Sequence, residues 1–336
     1  MTSDIPVFIF VGPIRSEYFL LPNGKWYSRL LGGPVLYAAA SARVWTKDSI
    51  GLVSRAGRNF SEESLREIQR MGLDTSGIRI LPGHPPSLGF HYYETWENHI
   101  DWDPAKFLSQ KNISCPEELL DYSPPSLGES SLHHFPEIAV RSDDIPAPYR
   151  QARAAYIAPC HYQSQVTLSA SLRQSGVGTI LLCPPDGLLL PAFRTQIRDI
   201  LHGIDIFFGR EESVQAFVDD PRLDAAETSA YLARWGPAIV ILQRGFQGIQ
   251  VYDSDSQKIL FVPFYPAEMK NPLAAGDSFC GGFLATWRKT YDPLESALAG
   301  CVSASLAVEG LGGLHALQRN PGLAEARLIS LRRTVA

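Results

Sequence analysis

The stretch Lys270–Leu284, KNPLAAGDSFCGGFL, decides how the rest of the chain is read. Asn271 and Pro272 stop whatever element precedes them, and Ala274-Ala275-Gly276-Asp277 opens an apolar helix. A helix start carries backbone N–H groups without intrahelical partners, together with a partial positive charge. Small residues there let a phosphate approach those groups. Asp277 sits where such an anion would be held, yet a carboxylate is a poor phosphate ligand. The chemistry that suits it is removal of a proton from an attacking hydroxyl. Asp is also favoured in any first helical turn, so residue type alone leaves capping and catalysis both open. Gly281 and Gly282, one turn further on, predict close packing on a neighbouring backbone.

Ala275, Gly276, Asp277, Phe279, Gly282 and Phe283 match the second half of the signature D-T-x-G-A-G-D-x-F-x-x-G-F as they stand. On those residues the stretch resembles the ribokinase-like (PfkB) sugar kinases. The first half is altered: Asn271 replaces the acid, Leu273 falls near the threonine and Ala274 replaces the first glycine. Alanine at 274 requires a backbone with φ below zero there.

Other stretches extend the resemblance from about Val7 to Gly313. Gln243-Arg244-Gly245-Phe246-Gln247-Gly248 is similar to the family's K-x-G-x-x-G nucleotide loop and precedes the AAGD stretch by roughly thirty residues. Gly12 to Glu17 resembles G-x-x-x-x-D, whose acid holds sugar hydroxyls. Gly32-Gly33 followed by Ala38-Ala39-Ala40 resembles G-G-x-x-x-N-x-A, with Tyr37 in the asparagine place. Met71 to Ile78 is close to the passage that precedes the family's lid. Neither G-x-x-x-x-G-K-[ST] nor a G-x-G-x-x-G after the first strand occurs, which disfavours P-loop and dinucleotide enzymes.

Composition sets bounds. A chain of 336 residues with 45% hydrophobic content is globular in character. A net charge of −5 and a pI near 5.9 argue against nucleic-acid binding driven by bulk charge. No apolar run reaches the roughly eighteen residues of a membrane span, and the start of the chain lacks a secretory pattern. Five scattered cysteines without a C-x-x-C pair fit free thiols in a reducing cytoplasm.

Strand and helix patterns alternate from Ala154 to Gln243, after an opening strand at Pro6–Gly12, a helix beginning near Pro34 and a helix over Ser61–Met71. Such alternation predicts parallel strands with helices on both faces. A strand is expected at Ser131–Phe135, and Gly72 to Thr75 reads as the close of the preceding helix. Leu88–Trp102 is aromatic-rich with a polar Glu97-Asn98 break and reads as a hairpin; its Tyr92, Tyr93, Trp96 and Trp102 suit either stacking on a ligand or packing. His133, His134 and His161 lack metal-site spacing and read as core or surface residues. The chain is therefore expected to be a single α/β domain over residues 1–336. The resemblance makes it a ribokinase-like three-layer α/β/α sandwich, with a mostly parallel central sheet and a small β lid inserted around 86–103.

The resemblance implies an ATP-dependent, Mg²⁺-assisted kinase acting on a hydroxyl of a sugar, polyol or nucleoside. Asp277 would be the general base, with Ala274, Ala275 and Gly276 forming an anion hole. Arg244, Gly245, Gly248 and Asn271 would serve the nucleotide, and Glu17, Gly32, Gly33 and Tyr37 the acceptor. Lid-to-lid contact would make a homodimer. The family's N-x-x-E motif, which organises water around the metal, is replaced: Arg210 stands near the asparagine and Ser213 near the glutamate, leaving Glu212 as the candidate metal residue. Arg58-Asn59 stands where the family often has two acids, and Cys183-Pro184-Pro185 displaces an aspartate to Asp186. These departures motivate an alternative in which the same fold binds a small ligand or a partner without phosphoryl transfer.

Overall fold

Neighbouring residues of the first strand point to opposite sides of one sheet: Phe8 and Phe10 enter one hydrophobic core, Ile9 and Val11 another. The computed structural model describes residues 5–96, 98–125 and 131–335. In chain order its strands begin with β1 (Phe8–Val11), β2 (Arg15–Leu20), β3 (Trp26–Gly32), β4 (Ile50–Ala56), β5 (Leu73–Ile80), β6 (Leu88–Tyr93) and β7 (His99–Ile100). They continue with β8 (Ala154–Ile157), β9 (Thr179–Leu182), β10 (Ile206–Arg210), β11 (Ile239–Gln243), β12 (Ile249–Asp253) and β13 (Lys258–Val262). The first five helices are α1 (Pro34–Trp45), α2 (Glu62–Arg70), α3 (Pro104–Gln110), α4 (Tyr162–Gln174) and α5 (Arg194–Leu201). The remainder are α6 (Glu211–Val218), α7 (Ala225–Ala233), α8 (Ala274–Thr290), α9 (Pro293–Val308) and α10 (Pro321–Arg332).

The main sheet runs β13-β12-β11-β10-β9-β8-β1-β4-β5 and is parallel except at the β12–β13 hairpin. One face packs on α1, α8, α9 and α10 and the other on α4 to α7, which gives the three layers expected. From β1 the sheet extends to β4 on one side and to β8 on the other. The carboxyl ends of these three strands form a topological switch point, where open α/β sheets bind ligands.

The glycine pair clamps the helical layer. A Cβ on Gly281 would lie 1.9 Å from the Ala38 carbonyl oxygen of α1, and one on Gly282 would lie 2.1 Å from Ser303 Oγ of α9. Only glycine lets α8 come this close to both neighbours. Phe279 and Phe283 are buried beside it, and burial of each contributes on the order of 2 kcal/mol.

A second sheet, β3-β2-β6-β7, lies over the carboxyl edge. The aromatic stretch supplies β6 and β7, which pair antiparallel; Glu97 lies outside the described residues. Half of this sheet was not anticipated, because β2 is buried almost throughout and shows no alternation. The turn between β2 and β3 did carry a signal: Gly24 has φ 78°, and Asn23 Oδ1 accepts the Lys25 N–H at 3.1 Å. Tyr92 stacks on Phe107 of α3 at 4.7 Å, and Tyr93 is buried against Trp96 at 5.8 Å, whereas Trp102 remains 48% exposed. Most of the lid aromatics are thus packing residues.

Two local expectations are corrected. Ser131–Phe135 is not a strand: Ser131 Oγ accepts the His134 N–H at 3.2 Å, a local bond that competes with extended pairing, and Phe135 stacks on His161 at 5.1 Å. Gly72 to Thr75, read as the close of a helix, instead leads into the edge strand β5, which begins at Leu73. Beyond the lid strands the chain forms α3, whose start is capped by Asp103. Among the described residues no helix is long and apolar enough to cross a membrane.

Candidate active site

A cavity of about 1000 Å³ opens at the carboxyl ends of β1, β4 and β8, between the main sheet and the lid. Arg15, Arg58, Asn59, Tyr122 and His161 are among its walls. Asn59 is structural, donating to Ser16 Oγ at 2.8 Å and accepting the Ser87 N–H at 2.7 Å, and so ties β4 to the lid. His161 caps α4 through its Nδ1, which accepts the Gln163 N–H at 3.1 Å.

Asp277 does not line this cavity; it stands further along the same edge, in the first turn of α8. The helix head has no side-chain cap. The Ala274 and Ala275 N–H groups bond to the Asn271 and Pro272 carbonyls at 3.3 and 3.2 Å, while among the described residues the Gly276 N–H makes no hydrogen bond. Of the three residues Ala274 to Gly276, only Gly276 has an N–H without a hydrogen bond among the described residues. A Cβ on Gly276 would lie 3.3 Å from the Phe208 ring and 3.6 Å from Gln243 Oε1, so glycine seats the helix head against the ends of β10 and β11. Ala274 is fully buried against Tyr37 and Ala307 with φ below zero, which satisfies the condition set by its loss of glycine. Asp277 is half-buried, and its Oδ1 accepts the Tyr156 hydroxyl at 2.5 Å.

The Glu17 corner is sealed. Glu17 on β2 is 1% exposed; its Oε1 accepts the Gly33 N–H at 2.8 Å, and its Oε2 accepts the Tyr37 hydroxyl. A Cβ on Gly32 would lie 2.1 Å from Glu17 Oε2, so this glycine makes room for the carboxylate, while Gly33, with φ 92°, packs on the Pro13–Arg15 backbone. Tyr37 accepts in turn from Asn271 Nδ2 at 3.1 Å. Asn271, expected on the nucleotide side, is fully buried in this chain of hydrogen bonds. From the lid, His91 Nε2 comes within 3.9 Å of Glu17 Oε1, and His91 Nδ1 is 3.1 Å from His99 Nε2. Burial drives the Glu17 carboxyl up to about 7, against the hydrogen bonds from Tyr37 and Gly33. Burial also holds His91 well below its ordinary range, so the neighbouring imidazole is neutral. Among the described residues, three buried polar atoms around this corner, His91 Nε2, Tyr93 Oη and Asn271 Oδ1, have no hydrogen-bond partner.

The Arg244–Gly248 loop and the head of α6 meet at the ends of β10 and β11, where Arg210 is in register with Gln243. The loop is tight: the Arg244 N–H bonds to the Gly248 carbonyl at 2.9 Å, Gly245 has φ 51° and Gly248 φ 111°. Arg244 Nε donates to Glu211 Oε2 at 3.0 Å, with its guanidinium 5.5 Å above the Phe261 ring. Asp186 accepts from Arg210 and, at 2.6 Å, from Ser213 Oγ. Glu212 is exposed. Among the described residues no group of three or more His, Cys, Asp or Glu side chains is arranged to cage a metal ion. Mg²⁺ normally keeps several waters and binds through one or two carboxylates plus substrate phosphates. Asp186 and Glu212 fit that mode.

Sequence reasoning missed Tyr156, His91 and His99 as site residues. Tyr156 is 121 positions from Asp277, and nothing local marks a strand tyrosine as the partner of a helix-head acid.

Known proteins share this fold. The pattern of the pfkB family carbohydrate kinases matches residues 164–319. The cytidine kinase of Thermococcus kodakarensis is 25% identical over 290 residues, covering 86% of this chain and 91% of that protein. A ribokinase-family protein of E. coli solved with ATP and Mg²⁺ superposes with a TM-score of 0.70 at 18% identity, covering 97% of this chain and 99% of that one. The Burkholderia thailandensis nucleoside kinase bound to inosine gives a TM-score of 0.70 at 17% identity, covering 96% and 98%. The fold is ribokinase-like, and residues 164–319 are similar to the pfkB family carbohydrate kinases.

Proposed function

We propose that the protein transfers the γ-phosphoryl group of ATP to a hydroxyl of a nucleoside or, as a wider class, a sugar or polyol. The observation that carries this reading is Asp277 at the head of α8, half-buried beside a Gly276 N–H that makes no hydrogen bond among the described residues. Asp277 takes the acceptor's hydroxyl proton as the new O–P bond forms. The bond from the γ-phosphorus to the bridging oxygen breaks and ADP leaves. The Gly276 N–H and the positive end of α8 stabilise the charge on the transferring group. Arg244, Gly245 and Gly248 line the nucleotide side. Mg²⁺, when bound, offsets the negative charge of the phosphates; Asp186 and Glu212 would hold it.

Glu17, Gly32, Gly33 and Tyr37 serve the acceptor. An acceptor hydroxyl takes the place of the Tyr37 hydroxyl on Glu17 as the lid sheet shifts. The large cavity beside this corner and the similarity to a cytidine kinase support a nucleoside over a small polyol. Two further parts of the reading are a dimer through the lid, supported by the edge strand β3 with Tyr27 37% exposed, and a cytoplasmic setting, supported by five free thiols. A solution mass equal to one chain would remove the dimer.

The test is Mg²⁺-dependent ADP release across a panel of nucleosides, sugars and polyols, with Asp277→Asn alongside. Acceptor-stimulated turnover is expected to fall by about 10²–10⁴-fold in the variant, with ATP affinity retained. Wild-type turnover in Asp277→Asn removes the base assignment. ATP binding without turnover across the panel favours a ligand-binding protein on the same fold.

A further inference from the structure

We propose that Tyr156 is a positioning residue for Asp277, its hydroxyl fixing the orientation of the carboxylate that receives the acceptor proton. The inference rests on the base role proposed for Asp277. Tyr156 is fully buried in β8, its backbone in register with Phe10 of β1 and Leu181 of β9, and its ring lies 5.9 Å from that of Phe10. Packing on both sides leaves the ring one place to put its hydroxyl. Asp277, by contrast, sits in the first turn of a helix at the half-buried edge. A rigid donor on the sheet is thus bonded at 2.5 Å to the acid at the helix head.

The surroundings favour that pairing. A buried hydroxyl requires an acceptor. The thiols of Cys183, at the end of β9, and Cys280, on α8 itself, lie beside Tyr156, but thiols are weak acceptors and burial pushes both well up, so they are neutral. The carboxylate is the strong acceptor, and the bond is charge-assisted. Burial and the Asp277 charge together raise the Tyr156 phenol well above its ordinary value, so it remains a donor. The other charged or titratable groups that act on this corner are Glu17 from β2, and Asp186 and Arg210 beyond Cys183.

A core tyrosine that merely satisfies its hydroxyl would cost stability when changed and leave the chemistry alone. The experiment compares pH–rate profiles for acceptor-dependent ADP release in wild type, Tyr156→Phe, Tyr149→Phe and Asp277→Asn. Tyr149 is another buried tyrosine, its hydroxyl 3.4 Å from the Asp74 carbonyl, and reports the general cost of losing a buried hydroxyl. Tyr156→Phe is expected to lower kcat roughly tenfold or more, to leave KM for ATP within about twofold, and to move the acid limb of the profile upward, because the carboxylate loses a donor. Tyr149→Phe leaves the limb in place. Difluorotyrosine at position 156, a stronger donor of the same shape, moves the limb downward and keeps the question open to test should the phenylalanine variant unfold. A carboxyl ¹³C titration, with Asp277 identified by its loss in Asp277→Asn, reads the same shift without turnover. An unmoved limb and kcat within twofold of Tyr149→Phe overturn the proposal while an inactive Asp277→Asn leaves the base role standing. An active Asp277→Asn removes both.

Discussion

Two carboxylates stand on the carboxyl edge of this protein, and their surroundings are opposite. Glu17 is sealed between lid and body, bonded to Gly33 and Tyr37, with a neutral His91 as its lid neighbour. Burial there outweighs hydrogen bonding and lifts its carboxyl to about 7. Asp277 is half-buried at the positive end of a helix and is bonded to the rigid Tyr156 phenol. An acid buried without a strong cation suits holding hydroxyls, since it both donates and accepts near neutral pH. An acid at a helix head suits proton abstraction beside a transferring phosphate. Acid type decides neither role; solvent access and the nearest dipole decide both.

The two corners are joined by the contact of α1, which carries Gly33's neighbour and Tyr37, with α8, which carries Asp277. Gly281→Ala is expected to break that joint, because its Cβ would lie 1.9 Å from the Ala38 carbonyl oxygen. A loss of about 3 kcal/mol in denaturant unfolding is expected, at the upper end for overpacking. An unchanged midpoint would show that the helices part without cost and that the corners are not rigidly coupled.

A second experiment sharpens the contrast through pH. The folded value for Glu17, about 7, lies above its ordinary 4.5, so the contribution is fully present below about 4.5 and is lost as pH rises through about 7. Stability should fall across that window by up to the order of 3 kcal/mol, and Glu17→Gln should flatten the slope. Equal slopes in the two proteins would mean that Glu17 is not buried as described. The smallest effect belongs to Arg210→Ala. Its pair with Asp186 is 58% and 45% exposed and contributes less than about 1 kcal/mol. The variant should keep its unfolding midpoint but reach half-maximal turnover at lower Mg²⁺, since Asp186 loses a competing cation. A higher Mg²⁺ requirement would instead assign Arg210 to the phosphates.

Much of the fold was legible because its signals are local. The alternation of short apolar strands with helices, the AAGD helix head and the Gly281-Gly282 pair each express a preference within a few residues of chain, and each appears in place. The altered positions meet in space: Arg210 ends β10 as the N-cap of α6 and Ser213 lies in the first turn, and both engage the displaced Asp186. The lid was only half read, since β2 is covered on both faces and carries no period to detect. Ser131–Phe135 misled because serine's bond to nearby backbone outcompetes a strand there.

By itself the sequence determined the layered α/β architecture, the helix that presents Asp277 and the glycines that let it pack. Those follow from periodicity, steric size and backbone freedom, which act over short stretches. Tertiary structure alone decided that Asn271 turns inward to Tyr37, that Glu17 is sealed beneath the lid, and that Tyr156 meets Asp277 across 121 positions. Hydrogen bonds and desolvation depend on which distant residues the fold brings within about 3 Å, and no local pattern encodes that choice.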